Sequence, residues 1–250
     1  MSRFFIEVSY KGARYGGFQI QQNTNTIQQE VQNALRIYFR NEFELTGSSR
    51  TDAGVHANQN YFHFDTGEID EAQFTEASYH LNAILPNDIV VKKIFKVLNE
   101  SHCRFDAISR TYGYVIYQQK NPFLEDRGYY FPYPLNLDLM NSAAKMILDN
   151  TDFEAFSKKN TQVNNFKCFI KESLWENKDG LIKYSVTGNR FLRGMVRGLV
   201  GTMLKVGTGK TDLEGFRAIL KGRDASKVDF SVPGHGLFLE KVLFDQAILG

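Results

Sequence analysis

The spacing of apolar residues along the chain predicts strands and helices in irregular alternation. Apolar side chains at every second position favour a strand with one buried face, as in Phe4, Ile6, Val8 and Tyr10. The segments predicted as strands by this period or by β-branched content are 4–10, 61–64, 88–98, 110–117, 181–187 and 236–244. The polar, glycine-containing stretch 11–25 predicts a long loop instead.

Helical spacing and two capping boxes predict the helices. Thr26 followed by Gln29, and Thr211 followed by Glu214, match the pattern in which a hydroxyl caps the first turn. Helices are expected over 27–38, 71–82 and 140–148, near residue 190, and after the second capping box. Since the elements do not form repeated parallel β-α-β units, the pattern favours an α+β fold with antiparallel sheet covered by helices on one side.

Composition adds a class and a division of the chain. The 250 residues are 42% hydrophobic and 23% charged, which is typical of a soluble globular protein. A boundary near residue 105 is expected to separate an N-terminal domain, 1–105, from a C-terminal domain, 106–250. The early carboxylate Glu7 argues against a signal peptide, and no apolar run reaches about 20 residues. A cytoplasmic protein without a membrane span is therefore expected.

The net charge of +2 implies no partner, but its distribution does. Segment 184–211 carries five basic residues and no acid, and segment 155–171 carries four lysines and no acid. Local positive faces of this kind suit a polyanion, although ordinary solvated surface is the alternative. Cys103 and Cys168 form neither a disulfide framework nor a metal-binding pattern.

The segment Gly47–Ala57, GSSRTDAGVHA, is the most unusual part of the chain. Glycines and small residues bracket Arg50 and Asp52, so the backbone is able to turn tightly while presenting both charges. An aspartate in such a turn is ordinarily a turn former, yet it is also able to act as nucleophile or base. His56, four residues later, is a candidate RNA contact, with support of the loop as the alternative.

The run RTDAGVH resembles the catalytic signature of the tRNA pseudouridine synthase A family, in which the aspartate is essential. Residues 105–114, FDAISRTYGY, are similar to the family's second motif, whose first tyrosine after the arginine packs on the target base. This resemblance assigns that role to Tyr112, for stacking or proton transfer. By strand period Arg110 and Tyr114 share its face, which suggests a polar, aromatic surface.

A third motif lies in residues 189–201, NRFLRGMVRGLVG. Arg190, Arg193 and Arg197 would flank an apolar helical stripe, and three glycines opposite it suggest close backbone approach to another group. Met-Val-Arg at 195–197 resembles a family motif whose arginine pairs with the catalytic aspartate. The resemblance thus implies that Arg197 holds Asp52 ionised, while Arg190 and Arg193 fit phosphate contacts or solvated surface.

Weaker matches extend the resemblance over nearly the whole chain. Residues 17–21, 81–89 and 236–239 are similar to family motifs in the same order, and Leu237 is the candidate lining of the uracil pocket. Three departures occur. Phe18 stands in place of the usual tryptophan, Ser49 in place of a glycine, and the usual arginine is missing around 166–170.

The resemblance implies two RRM-like halves that form a continuous, mostly antiparallel sheet, with the active-site cleft between them. It implies isomerisation of uridine at position 38, 39 or 40 of the tRNA anticodon arm. Asp52 would be the nucleophile on a flipped base, with Arg50 holding the backbone or the vacated space. No cofactor or metal is implied, and the expected assembly is a homodimer that binds tRNA. The alternatives are a non-catalytic tRNA-binding or chaperone module and a hydrolase that uses Asp52.

Overall fold

The chain, in a computed structural model, is described over residues 1–67, 71–158 and 165–249. The strands are β1 (Ser2–Tyr10), β2 (Thr46–Gly47), β3 (His56–Thr66), β4 (Ile89–Val97), β5 (Ser109–Tyr117), β6 (Tyr129–Tyr130), β7 (Ile170–Lys178), β8 (Leu181–Gly188) and β9 (Leu237–Leu243). The helices are α1 (Ile27–Phe39), α2 (Glu71–Ile84), α3 (Leu137–Leu148), α4 (Met195–Gly207), α5 (Leu213–Lys221) and α6 (Gln246–Leu249). The predicted α+β class is confirmed.

The chain divides into two units by its internal contacts. Unit 1 comprises residues 1–108 together with 238–250, and unit 2 comprises residues 109–237. The first boundary lies close to the expected division at residue 105. The C-terminal segment belongs to unit 1 because β9 pairs in parallel with β3, with Phe238 opposite His56. The predicted C-terminal domain, 106–250, included this segment because the segment follows that domain directly in the sequence.

The sheet of unit 1 has the strand order β4-β1-β3-β9, with β2 paired to β3. Strand β1 is antiparallel to both β3 and β4. Phe4 packs against Phe64 and Phe74, ring centroids 5.7 and 4.5 Å away, on the side of α2. Phe5 points to the other face and is also fully buried, against Phe244 at 5.5 Å. The predicted strand is confirmed, and both of its faces are covered.

The sheet of unit 2 pairs β5 with β8 and β8 with β7, both antiparallel, and β6 in parallel with β5. Strand β7 was not predicted, because charged residues interrupt its apolar period. Its Trp175 stacks on Tyr184 with centroids 4.9 Å apart, and the indole Nε1 donates to the Met203 sulfur of α4 at 3.4 Å. One buried indole thus joins the helix layer to the sheet.

Two helix starts differ from the expectation. Asp212, not Thr211, caps α5, since its Oδ1 accepts from the Gly215 amide at 2.7 Å. Helix α4 begins at Met195, so the arginine-rich segment 190–193 precedes the helix rather than flanking it. At α1 the predicted cap is confirmed: Thr26 Oγ1 accepts from the Gln29 amide at 3.4 Å.

The expected lysine-bearing segment and the expected absence of a membrane span can be compared only with the described residues. The lysine-bearing segment 155–171 is described only in part, since residues 159–164 lie outside the described residues. In the described parts of the chain, no helix combines the length and apolar character needed to cross a membrane.

Candidate active site

The loop between β2 and β3 carries Arg50 and Asp52, and backbone hydrogen bonds hold it from several directions. The Ser48 amide donates to Tyr61 O at 2.8 Å, and the Phe18 amide donates to Thr51 O at 3.1 Å. Asn60 Nδ2 donates to Ser49 O at 2.8 Å. After Asp52, the Gly54 amide donates to Tyr15 O at 3.3 Å, so the loop is tied to β3 before Asp52 and to the 11–25 segment on both sides of it.

Two glycines allow other parts of unit 1 to approach this loop closely. A Cβ built on Gly12 would lie 1.9 Å from Val55 O, and one built on Gly47 would lie 2.1 Å from Cε1 of Phe18. Phe18 itself is buried and stacks on Phe62 with centroids 4.5 Å apart. The phenylalanine that replaces the family's usual tryptophan thus fills the space beneath the loop.

The side chains of the loop alternate between interior and surface. Thr51 is buried, and its hydroxyl bonds the Tyr10 hydroxyl at 2.8 Å. Its neighbours Arg50 and Asp52 are exposed and half-buried, respectively. The Val55 amide closes a turn onto Asp52 O at 3.2 Å. The structure therefore presents a carboxylate on a fixed turn, with an arginine at the surface two residues earlier.

His56 is one of the buried residues of this region, with 2% of its surface exposed. Its Nδ1 accepts from the Gly12 amide at 3.0 Å, so in the neutral ring the proton is on Nε2. The ring stacks on Phe238 of β9 with centroids 4.6 Å apart. These contacts favour support of the loop, and RNA contact by His56 stays a prediction.

In unit 2, Arg110 and Tyr112 lie on β5 and are both largely buried. Arg110 donates to Asn189 O at 2.8 Å, and Tyr112 meets Phe191 edge-on at 5.1 Å between centroids. Tyr114, on the same face, is fully buried and donates to Pro233 O at 2.8 Å. The expected polar surface on this face is wrong, because all three residues are buried, with Pro233 and Gly236 lying against Tyr114.

Arg197 projects from the first turn of α4 and braces residues 230–232. Its Nε donates to Val232 O at 2.8 Å, and an Nη donates to Phe230 O at 3.3 Å. Burial raises the pKa of Tyr114, and the nearby Arg197 charge opposes the rise. Arg197 and Tyr114 are thus joined by one stretch of chain, a role for Arg197 that the sequence analysis missed.

The glycines of α4 explain how the segment comes so close. A Cβ on Gly198 would lie 2.8 Å from Phe230 and Val228 side-chain atoms, and one on Gly201 would lie 2.2 Å from Asp229 O. The expected close backbone approach is confirmed, and the approaching group is the chain's own segment 228–230. The glycine spacing was the signal for it.

The remaining candidates of unit 2 differ in exposure. Arg193 is exposed, and Arg190 is half-buried with an Nη 3.5 Å from Asn165 Oδ1. Leu237 is 6% exposed, directly after Gly236, which packs on the Tyr114 ring. The structure thus gathers Tyr114, Arg197 and the chain leading to Leu237 in unit 2, while Arg50, Asp52 and His56 belong to unit 1.

In the described parts of the chain, no cluster of three or more His, Cys, Asp or Glu side chains has the arrangement to hold a metal ion. His63 and Cys103 are a buried pair, with Nδ1 and Sγ 3.1 Å apart.

Comparison with known proteins places this fold and loop in a family. A family model described as tRNA pseudouridine synthase matches residues 6–106 and 143–245. The chain is 41% identical over 249 residues to tRNA pseudouridine synthase A of Parabacteroides distasonis, covering 99% of this chain and 98% of that protein. It is 41% identical to the Porphyromonas gingivalis protein of the same name, covering 98% of each, and 39% identical to that of Staphylococcus saprophyticus, covering 96% and 90%.

The matches span both units and include the loop that carries Asp52. The chain therefore belongs to the tRNA pseudouridine synthase family, whose members are isomerases.

Proposed function

We propose that this protein isomerises uridine to pseudouridine in tRNA, at position 38, 39 or 40 of the anticodon arm. The observation that carries the proposal is the fixed loop that presents Asp52, half-buried, beside the exposed Arg50. A family member with this loop intact has the carboxylate that the reaction requires. The tRNA specificity follows from the resemblance to type A enzymes.

In this reaction the target uridine leaves the base stack, at a cost of a few kcal/mol. Asp52 attacks the ribose or the base as nucleophile. The bond from ribose C1′ to uracil N1 breaks, the uracil turns, C1′ bonds to C5, and the bond to Asp52 is released, which restores the carboxylate. The C5 proton is then lost, and N1 gains one, so the product is an isomer and needs no co-reactant.

The proposed reaction depends on a loop that holds Asp52 in a fixed position. A nucleophile held in one geometry avoids the entropic cost of being positioned during the reaction, and a displacement of about 1 Å is able to cost about 100-fold in rate. Hydrogen bonds to Ser49 O and Thr51 O fix the chain before the carboxylate, and the bond from the Gly54 amide to Tyr15 O fixes it afterwards. Asp52 therefore needs little reorganisation when the base arrives.

The other candidates complete the proposed site. Arg197 is the ion partner of Asp52, Tyr112 stacks on the uracil or moves its proton, and Leu237 lines the pocket. Arg50 holds the backbone or the vacated space. Contacts to tRNA are proposed for His56, Arg110, Arg190 and Arg193. We assign the working form as a cytoplasmic homodimer bound to tRNA, for which light scattering with and without tRNA is the check.

The first experiment replaces the proposed nucleophile. Asp52→Asn preserves shape and backbone bonds, so we expect pseudouridine formation to be lost while tRNA affinity stays within about twofold. Asp149→Asn, an exposed carboxylate at the end of α3, is the matched control. Pseudouridine is mapped by carbodiimide-dependent reverse-transcription stops on unmodified tRNA. If the Asp52→Asn variant still formed pseudouridine, the assignment of Asp52 as the nucleophile would be wrong. Binding without product by the unaltered protein would favour the non-catalytic module.

The second experiment separates two roles of Arg197. Its contacts with Phe230 O and Val232 O give it a structural role in unit 2. If it also keeps Asp52 ionised, Arg197→Gln lowers kcat and moves the acid limb of the pH–rate profile to higher pH. Arg197→Lys is expected to return the acid limb to its original pH, because the positive charge is kept, but not to restore both contacts with the backbone. A lowered rate with an unmoved limb in both variants would leave only the structural role.

A further inference from the structure

A groove of about 430 Å³ lies in unit 1 beside Arg50. Its lining includes Gln19, Gln32, Arg50, His102, Arg104 and Phe105. Of the described residues, Arg50 lines this groove and Asp52 does not. The volume is within the range of small-ligand sites, about 300–1,000 Å³. A ligand in this groove would lie beside Arg50, which is two residues before the candidate nucleophile Asp52. It would be distinct from the uridine that reacts.

The groove contains an exposed aromatic ring on a fixed turn. Phe105 is 74% exposed, and its ring lies 4.2 Å from that of His102 and 5.8 Å from Cζ of Arg104. The turn is held because the His102 amide donates to Asp106 Oδ2 at 2.7 Å and the Phe105 amide donates to His102 O at 3.1 Å. An exposed ring kept in place beside an arginine is the arrangement that stacks single-stranded bases.

One residue of the groove lining, Gln32, carries an unsatisfied acceptor. Among the described residues, Oε1 of Gln32 is buried and has no hydrogen-bond partner. The neighbouring Gln28, by contrast, uses both ends of its amide, donating to Leu45 O at 2.8 Å and accepting from the Ile20 amide at 3.3 Å. A buried acceptor without a donor is costly. When the Gln32 amide turns toward the groove, this acceptor fits a ligand that brings an N–H group, such as the imino or amino group of a base.

The charges of the lining orient such a ligand. Arg50 and Arg104 are able to contact a phosphate, whereas Glu44 opposes a phosphate and accepts from an amino group. A nucleotide satisfies all of these requirements together, with its ring on Phe105 and its phosphate toward the arginines. A purely apolar or anionic ligand does not.

We infer that this groove binds a second, unpaired base of the tRNA, other than the uridine that is isomerised. The base stacks on Phe105, donates to Oε1 of Gln32, and has its phosphate near Arg104 and Arg50. The inference rests on the proposed function, because it takes tRNA as the ligand.

The test compares two exposed phenylalanines. Phe105→Ala is expected to raise the Kd for unmodified tRNA by about 5- to 150-fold at fixed salt, which is the range for removing one base–aromatic stack. Phe123→Ala, at a ring 81% exposed in unit 2, is expected to leave Kd within about twofold. Equal affinities for the two variants would overturn the inference.

A scan of abasic anticodon-arm RNAs then identifies the base. One abasic position is expected to weaken binding of the unaltered protein and to have no further effect on Phe105→Ala. If the two losses multiply at every position, no base stacks on Phe105. Pseudouridine formation by the unaltered protein is measured in parallel, so that failure of the proposed function is seen separately from failure of this site.

Gln32 gives an independent readout. Gln32→Met removes the acceptor but keeps the length of the side chain. We expect weaker tRNA binding together with equal or higher thermal stability, since an unsatisfied buried oxygen is removed. Unchanged Kd for this variant would overturn the assigned hydrogen bond, and a melting temperature lower than that of the unaltered protein would show that Oε1 has a partner within the protein.

Discussion

Replacing Gly12 by alanine tests whether the position of the Asp52 loop controls turnover. Gly12 lies outside the loop, but a Cβ at this position would be 1.9 Å from Val55 O. Cβ contacts below 3.0 Å are essentially never seen, so the carbonyl has to move by about 1.1 Å. Val55 also closes the turn onto Asp52 O through its amide at 3.2 Å. The displacement is therefore expected to reach Asp52, the proposed nucleophile.

The expected magnitudes follow from that geometry. Overpacking of a well-packed site costs about 1–3 kcal/mol. The Gly12 amide also donates to His56 Nδ1 at 3.0 Å, and loss of such a bond adds about 0.5–1.5 kcal/mol. We expect the free energy of unfolding of Gly12→Ala to fall by about 2–4 kcal/mol. We also expect kcat to fall by about 100-fold, which is the cost of misplacing a reacting group by about 1 Å.

The assay measures urea unfolding and single-turnover pseudouridine formation, the latter well below the melting temperature. Gly67→Ala is the control, because the nearest atom to its Cβ would be Met1 Cγ at an ordinary 3.6 Å. If Gly12→Ala loses stability but its folded fraction turns over like Gly67→Ala, loop position does not limit the reaction. If both properties match the control, the close approach itself is wrong.

Three further changes test the structure elsewhere. Asp212→Ala is expected to lower the free energy of unfolding by about 1 kcal/mol and Thr211→Ala by much less, since Asp212 caps α5; the reverse order in urea titrations would restore the sequence-based cap. Gly201→Ala is expected to destabilise because its Cβ would meet Asp229 O at 2.2 Å; a rise in melting temperature, as helix propensity alone favours, would contradict that approach. Burial lowers the pKa of His63 from 6.5 to about 4, so on acidification this histidine is protonated in the unfolded chain before it is protonated in the folded protein. The contribution of neutral His63 to the free energy of unfolding is fully present above pH 6.5. It is lost as the pH falls toward 4, by at most about 3 kcal/mol. His63→Gln is expected to flatten this slope in pH-dependent urea titrations, and an unchanged slope would exclude His63 as its source.

Some features could be predicted from the sequence because they depend on neighbouring residues. The cap at Thr26 is one, since a hydroxyl three residues before an amide needs no distant partner. The loop with Arg50 and Asp52 is another, since its small residues allow the turn wherever the loop lies. The glycines of α4 likewise indicated a close approach, although they did not name the approaching chain.

Other features depended on contacts between segments far apart in the chain. Tyr114 was expected on a polar surface, but it is buried because Pro233 and its neighbours, over a hundred residues later, lie across it. Strand β7 was missed because charged residues interrupt its apolar period. The burial of its Trp175 depends on the distant residues Tyr184 and Met203.

By itself the sequence determined the family and most of the helices and strands, because these depend on local residue types and spacing. Only the tertiary structure decided that β9 returns to β3, that Arg197 braces residues 230–232, and that Phe105 forms the wall of a groove. The physical reason is that the spacing of hydrophobic residues predicts which face of a helix or strand is buried. The spacing does not predict which distant part of the chain covers that face, or whether an aromatic ring is left exposed for a ligand.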